Sequence, residues 1–316
     1  MTDRPLRNVA ASVRQRLANA AKQSNRPFQE VLQYFAMERF LYRLSMSPHN
    51  ERFVLKGALL FNVWGAPATR PTRDIDLLAH LNNSVAAVLP VIRDICQQVV
   101  EPDGLDFDVD SLAGQIIKET ADYSGVRVTF LAYLENARIP MQIDIGFGDV
   151  IVPGAVLTDY PVLLGLATPR LRAYPRETVV AEKFEAMVKL GQLNSRLKDF
   201  FDLWLLSRQF EFEGRILAQA VSETFANRQT TIPPQPVALT TVFANNPVRQ
   251  TQWKGFLRKS RIDMAPPELP VVIAAISLFL LPLAAALSAG QEFSPLWRPA
   301  GPWLSAGTQN RPVRGA

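Results

Sequence analysis

Apolar residues recur at helical spacing near the start of the chain: Val13, Leu17, Ala20 and Ala21, then Val31, Leu32, Phe35, Phe40 and Leu44. That spacing predicts a pair of opening helices across residues 8–47, parted at "SNRP", where polar residues and a proline interrupt the pattern. From "FVLKGALLFNVWG" the pattern changes to a short helix after a glycine, followed by short strands. These read "RDIDLLAH", "LDFDVD", "GVRVTFLAYL" and "IPMQIDIGFGD", with "SVAAVLPVIRDICQQVV" as a helix between the first two. After "VIVPGAVLTDYPVLLG", which has the loop and edge-strand character of a boundary, helical spacing returns. "ETVVAEKFEAMVKLG" stops at Gly191, and "SRLKDFFDLWLLSRQF" opens at Ser195, the expected N-cap. The expected layout is α+β: N-terminal helices over 1–48 packed on the core, an α/β core over 49–165, a helical C-terminal domain over 166–300 and a tail over 301–316.

One stretch, "LPVVIAAISLFLLPLAAALSA", is apolar enough and long enough to span a bilayer. Pro270 and Pro282 divide it, it is solitary, and only Trp297 and Trp303 follow as aromatic flanks, so the expectation is a buried helix pair and no membrane. The basic start lacks the apolar core of a secretory signal, which points to the cytoplasm. A single cysteine, Cys96, excludes an internal disulfide and a cysteine-rich metal site, and His49 and His80 are too few for a histidine cage. Chemistry therefore falls to carboxylates, lysines and arginines. A net charge of +5 is compatible with a polyanionic partner.

The carboxylates supply the candidate chemistry. On a strand, Asp74 and Asp76 face the same way while Ile75 and Leu77 enter the core. Two like charges side by side require a cation or a proton between them. Either the face is wet and paired to Arg70 and Arg73, or a hard divalent ion such as magnesium sits there and binds phosphate as well. Context favours the second. Gly57 stands before a helix, where backbone N–H groups can approach a phosphate, and "MQIDIGF" puts Asp144 on the polar side of a later strand. A glycine, two aspartates on the next strand and one on a later strand suit two-metal nucleotidyl transfer. "LDFDVD" aligns Asp106, Asp108 and Asp110 without glycine or helix, and reads as a solvated edge strand.

On the wheel of "ETVVAEKFEAMVKLG", Val179, Val180, Phe184 and Met187 form an apolar stripe, with Glu182, Glu185 and Lys189 opposite. Lys183 falls inside the stripe and either snorkels past the core edge or emerges where a triphosphate would hold its charge. In the next helix Leu197, Phe200, Phe201 and Trp204 form the stripe, and Asp199 and Asp202 share the other side, where they would complement the helix dipole.

Together "LKGALLFNVWG…RPTRDIDLL", "IDIGFGD" and "ETVVAEKFEAMVKLGQLNSRLKDFFDL" resemble the AbiEii/AbiGii toxin family, nucleotidyltransferase-like proteins of bacterial toxin–antitoxin and phage-defence systems. The resemblance implies a DNA polymerase β-like nucleotidyltransferase core with a mainly helical C-terminal part, an NTP substrate with Mg2+, and a cognate antitoxin. It implies transfer to an RNA acceptor, tRNA in some relatives; a small-molecule nucleotidyltransferase and a non-catalytic partner-binding module on the same fold are the alternatives. It implies metal binding by Asp74, Asp76 and Asp144, with Lys183, Asp199 and Asp202 completing the catalytic set. Lys56, Gly57, Thr72, Arg73 and Lys183 make up the implied nucleotide-binding set. Ala58 stands where relatives carry a second glycine, and Thr72 occupies a position that the antitoxin modifies in some of them.

Overall fold

The structure, a computed structural model, describes residues 8–66, 70–120 and 123–305, so the expected tail lies outside the described residues from position 306 onward. Two compact units divide the chain. The first takes the described residues up to Asp149 together with Ala155–Tyr174, and the second takes Val150–Gly154 with the described residues from Pro175 onward.

The first unit opens with α1 (Val9–Gln23) and α2 (Phe28–Met46). The Asn8 side chain accepts the Ala11 N–H and caps α1, and the chain turns through Asn25 at φ +53° before α2 begins. Next come β1 (Phe53–Lys56), α3 (Leu60–Val63), β2 (Ile75–Ala79) and α4 (Val85–Cys96), the last capped by Ser84. The long strands β3 (Leu105–Thr120), β4 (Tyr123–Leu134) and β5 (Ala137–Phe147) follow, then β6 (Val156–Asp159) and β7 (Arg170–Ala173). They form one seven-stranded mixed sheet in the order β3, β4, β5, β2, β1, β7, β6. The sheet thus runs past residue 165, because β7 pairs parallel with β1 at Leu55 and Ala173.

Helix α2 packs on β5, α4 and α1, and Phe40 meets Phe107 and Phe130 of the sheet at ring separations of 6.1 and 5.9 Å. Thirteen of its nineteen residues are buried, so polar side chains are carried inward with the apolar ones. Each has a partner, as burial without one would cost a few kcal/mol. Gln33 donates to the Pro140 carbonyl at 3.1 Å, and Arg43 grips both oxygens of Asp103 at 2.7 and 3.1 Å.

β3 is an edge strand, as its acidic pattern predicts. The expected row of three aspartates does not form on it. Asp108 accepts the N–H groups of Asp110 and Ser111 and opens a bulge between Asp108 and Ala113, which takes Asp110 out of the alternation.

The second unit contains α5 (Arg176–Leu190), α6 (Leu197–Gln209), β8 (Phe212–Glu213), α7 (Gly214–Asn227), α8 (Thr241–Ala244), α9 (Pro247–Ser260), α10 (Leu269–Ser288), β9 (Leu296–Trp297) and β10 (Trp303–Leu304). Gly191, at φ +46°, ends α5 as expected. Ser195 does not cap α6. The N-cap is Arg196, whose N–H is taken by Asn194 Oδ1 at 2.9 Å, so the turn is closed one residue earlier in the chain than Ser195.

The apolar stretch forms one continuous helix, α10, in place of the expected pair. Pro270 lies in its first turn, where no N–H is required, and Pro282 is accommodated inside. Among the described residues this is the one helix long and apolar enough to cross a membrane by length and composition. It is buried along one face, through Leu269, Val272, Ile273, Ile276, Phe279, Leu280, Leu283 and Ala284, while Val271 and Leu278 are about half exposed. The two tryptophans that follow pack on it. Trp303 stacks on Phe279 at 5.7 Å and donates to its carbonyl, and Trp297 lies 4.8 Å from the same ring.

Replacing Arg43 with leucine would leave the Asp103 carboxylate buried without its guanidinium. Loss of about 3–5 kcal/mol of unfolding free energy is expected, read from urea denaturation of the full chain.

Candidate active site

The site grows from strand register. β1 runs antiparallel to β2 with Lys56 opposite Asp76, and β2 runs parallel to β5 with Asp76 level with Asp144. β5 runs antiparallel to β4 with Asp144 opposite Arg127. Residues that pair directly across strands put their side chains on one face. Lys56, Asp76, Asp144 and Arg127 therefore form a row across four strands, two anions flanked by two cations.

Asp74, one residue before β2, adds the third carboxylate. One oxygen from each of Asp74, Asp76 and Asp144 lies within 4.8 Å of the others; Asp74 and Asp76 are half-buried and Asp144 is buried. The Asp74 carboxylate accepts a hydrogen bond from the Thr72 hydroxyl, and the Thr72 N–H is held by Tyr34 Oη at 3.2 Å. Thr72 itself is buried. Asp144 is fixed more firmly: Arg127 donates from Nε and Nη2 to its two oxygens, both at 2.7 Å, and Gln142 donates at 3.3 Å. The hydrogen bonds to Asp144, with the nearby charges of Asp74 and Asp76, hold the Arg127 guanidinium above the usual arginine range.

Gly57 has a reason for being glycine beyond phosphate approach. Its φ is +74°, and a Cβ there would stand 1.9 Å from Asp76 Oδ2. The absent side chain is the space that the Asp76 carboxylate occupies. Lys56, next to it, is buried with its ammonium 2.9 Å from Asp149 Oδ2. Arg73 is exposed.

Lys183, Asp199 and Asp202 gather in the second unit. Lys183 Nζ lies 2.8 Å from Asp199 Oδ1 and 2.7 Å from Asp202 Oδ2. Both aspartates are buried, so they do not lie on a solvated side of α6; the ammonium from α5 draws them inward. Arg196 Nε stands 2.7 Å from Asp199 Oδ2 but off the hydrogen-bond line, a Coulombic contact. Burial pushes the Asp199 carboxyl up, yet Lys183 and Arg196 outweigh it and hold it down at about 2. Glu185 is also inside, fully buried rather than on a polar side, with Arg228 Nη1 at 3.0 Å and Thr230 Oγ1 at 2.6 Å.

Arg127 is the site residue that sequence reasoning missed. The signal was present in "GVRVTFLAYLENARIPMQIDIGF". A two-residue turn at Glu135 and Asn136, with Glu135 at φ +51°, pairs Leu134 with Ala137, and counting back from that turn sets Arg127 opposite Asp144.

A mixed sheet that brings three hard-oxygen donors together on and beside two adjacent strands is a frame for metal-assisted phosphoryl chemistry. This chain belongs to the AbiEii nucleotidyl transferase toxin family of Type IV toxin–antitoxin systems, whose family model matches residues 39–275, well over half its length. It is thus a nucleotidyltransferase, and its family implies an antitoxin partner. Similar solved structures include a Helicobacter pylori protein assigned as a nucleotidyltransferase, at 14% identity and TM-score 0.47, covering 83% of this chain and 97% of that one. JHP933 from Helicobacter pylori aligns at 16% identity and TM-score 0.43, covering 84% and 98%. No curated protein matches the sequence.

Two outcomes follow from this geometry. Gly57→Ala should lower unfolding free energy by about 1–3 kcal/mol, from the left-handed backbone and the clash with Asp76; an unchanged urea midpoint would contradict that packing. Asp199 has its folded pKa depressed from 3.8 to about 2, so its stabilising effect is complete above pH 4 and fades as pH falls toward 2. Stability should drop on the order of 2 kcal/mol across that window, and Asp199→Asn should flatten the slope in acid-dependent unfolding.

Proposed function

We propose that the chain is a magnesium-dependent toxin that transfers a nucleotide from an NTP to an RNA acceptor, tRNA foremost, in the cytoplasm, under the restraint of a cognate antitoxin. The observation that carries this reading is the close set of Asp74, Asp76 and Asp144, with Asp76 and Asp144 level across β2 and β5 and Asp74 just before β2. Their carboxylate oxygens are the donors that magnesium prefers, so the residues fit the ion. When bound, magnesium supplies positive charge to the triphosphate and brings the attacking and leaving oxygens into line.

The chain's own residues act by positioning. Thr72 orients Asp74, Gly57 makes room for Asp76, and Arg127 with Gln142 holds Asp144 as the third ligand. In the reaction the acceptor's hydroxyl oxygen bonds to the α-phosphorus, the bond to pyrophosphate breaks, and the hydroxyl proton leaves to solvent or a base. Lys183 is the triphosphate contact that the family resemblance implies. Within its own unit two carboxylates already bind its ammonium, so a nucleotide has to compete for it.

Incubation with each labelled NTP, magnesium and total tRNA tests the reading. Label should appear on RNA with the wild-type chain, and Asp76→Ala should abolish both transfer and growth inhibition while keeping the wild-type circular-dichroism spectrum. An Asp76→Ala protein that stays fully toxic would sink the mechanism.

A further inference from the structure

No Asp or Glu occurs between Glu223 and Asp263, a span that holds Arg228, Arg249, Lys254, Arg258, Lys259 and Arg261. Those six cations exceed the net charge of +5, so the rest of the chain is close to neutral and the basic excess is local. Arg228 is taken up internally by Glu182 and Glu185. Lys254, Arg258, Lys259 and Arg261 are exposed, and among the described residues no carboxylate lies within ion-pair distance of them.

The cations are also ordered. Lys254, Arg258 and Arg261 stand at i, i+4 and i+7 along α9 and its C-cap, one face of the helix. They line a surface groove of about 600 Å³ with Leu257, Ile262, Ala265 and Pro267, and Asp263 is the one acid in its wall. One wall of the groove is tied to α9: the buried Trp253 donates from its indole to the carbonyl of Pro266, between the lining residues Ala265 and Pro267, at 2.9 Å, and Arg261 ends the helix in the left-handed region at φ +53°.

We infer that this groove on α9 binds the sugar–phosphate backbone of RNA. The face from Lys254 to Arg261 extends about 10 Å, over which a nucleic-acid strand offers roughly three phosphates. The residues that line the groove include no aromatic side chain, so it holds no base-stacking platform, and the contact is sequence-independent and salt-dependent. The choice of RNA over another polyanion rests on the RNA acceptor proposed above. The groove lies wholly in the second unit, and its test requires no transfer.

Binding of fluorescent total tRNA to the full chain, without NTP, is measured by anisotropy from low to moderate salt. The variant K254E/R258E/R261E should lose about tenfold or more in affinity, and the milder K254Q/R258Q/R261Q should reduce the slope of log affinity against log salt by about 2 to 3. A charge control, R208E/R215E/R298E, reverses three other exposed arginines of the same unit and should lose clearly less. Thermal melts of all variants establish folding. Unchanged affinity and slope in the glutamine variant, or an equal loss in the control, would overturn the inference. So would substitutions that weaken binding of poly-glutamate and leave RNA untouched, since the partner would then be an acidic protein. A wild-type chain that binds RNA through α9 yet labels none would support the groove and count against the proposed enzyme reaction.

Discussion

The register of four strands is the constraint on which the first unit's chemistry depends. Because Lys56, Asp76, Asp144 and Arg127 are direct neighbours across β1, β2, β5 and β4, two anions are set at the spacing of adjacent strands, about 4.8 Å. A slip of one residue on β2 would send Asp76 into the core and Ile75 or Leu77 to the polar face. The apolar alternation that buries Ile75, Leu77, Ile143 and Ile145 therefore also aligns the carboxylates. Repulsion between them is met from several sides: the guanidinium of Arg127 on Asp144, the hydroxyl of Thr72 on Asp74, and the space over Gly57 that admits the side chain of Asp76.

The second unit handles charge differently. Lys183 lies in the apolar stripe of α5 because two carboxylates of α6 await it there, and Glu185 is buried because Arg228 and Thr230 close over it. Removing one member of such a cluster leaves an uncompensated charge in a low-dielectric interior, which is far more costly than losing an exposed pair. The helical wheel misassigned Asp199, Asp202 and Glu185 for this reason. It sorts residues by polarity, and an ion pair enters the interior when its partner comes from another helix.

Helix α10 shows the limit of a composition argument. Its apolar content is that of a spanning segment, its burial follows one face, and Trp297 and Trp303 pack against Phe279. Pro270 and Pro282 do not split the segment, as one falls in the first turn and the other is carried within the helix. Local propensity was overridden by packing there.

Periodicity and spacing by themselves determined much. They established the two opening helices, α4 between β2 and β3, the edge position of β3, the stop of α5 at Gly191, the common side of Asp74 and Asp76, and Asp144 on the polar side of a later strand, which the structure then sets beside β2. These are local or pairwise properties, fixed by backbone geometry and by which face of an element is apolar. Tertiary structure alone decided the rest: that Asp76 needs Gly57 for room, that Lys56 is turned to Asp149, and that Lys183 is held by Asp199 and Asp202. Each of those joins residues from separate elements, and a charge's partner is set by where the chain brings the other element, which no single segment encodes.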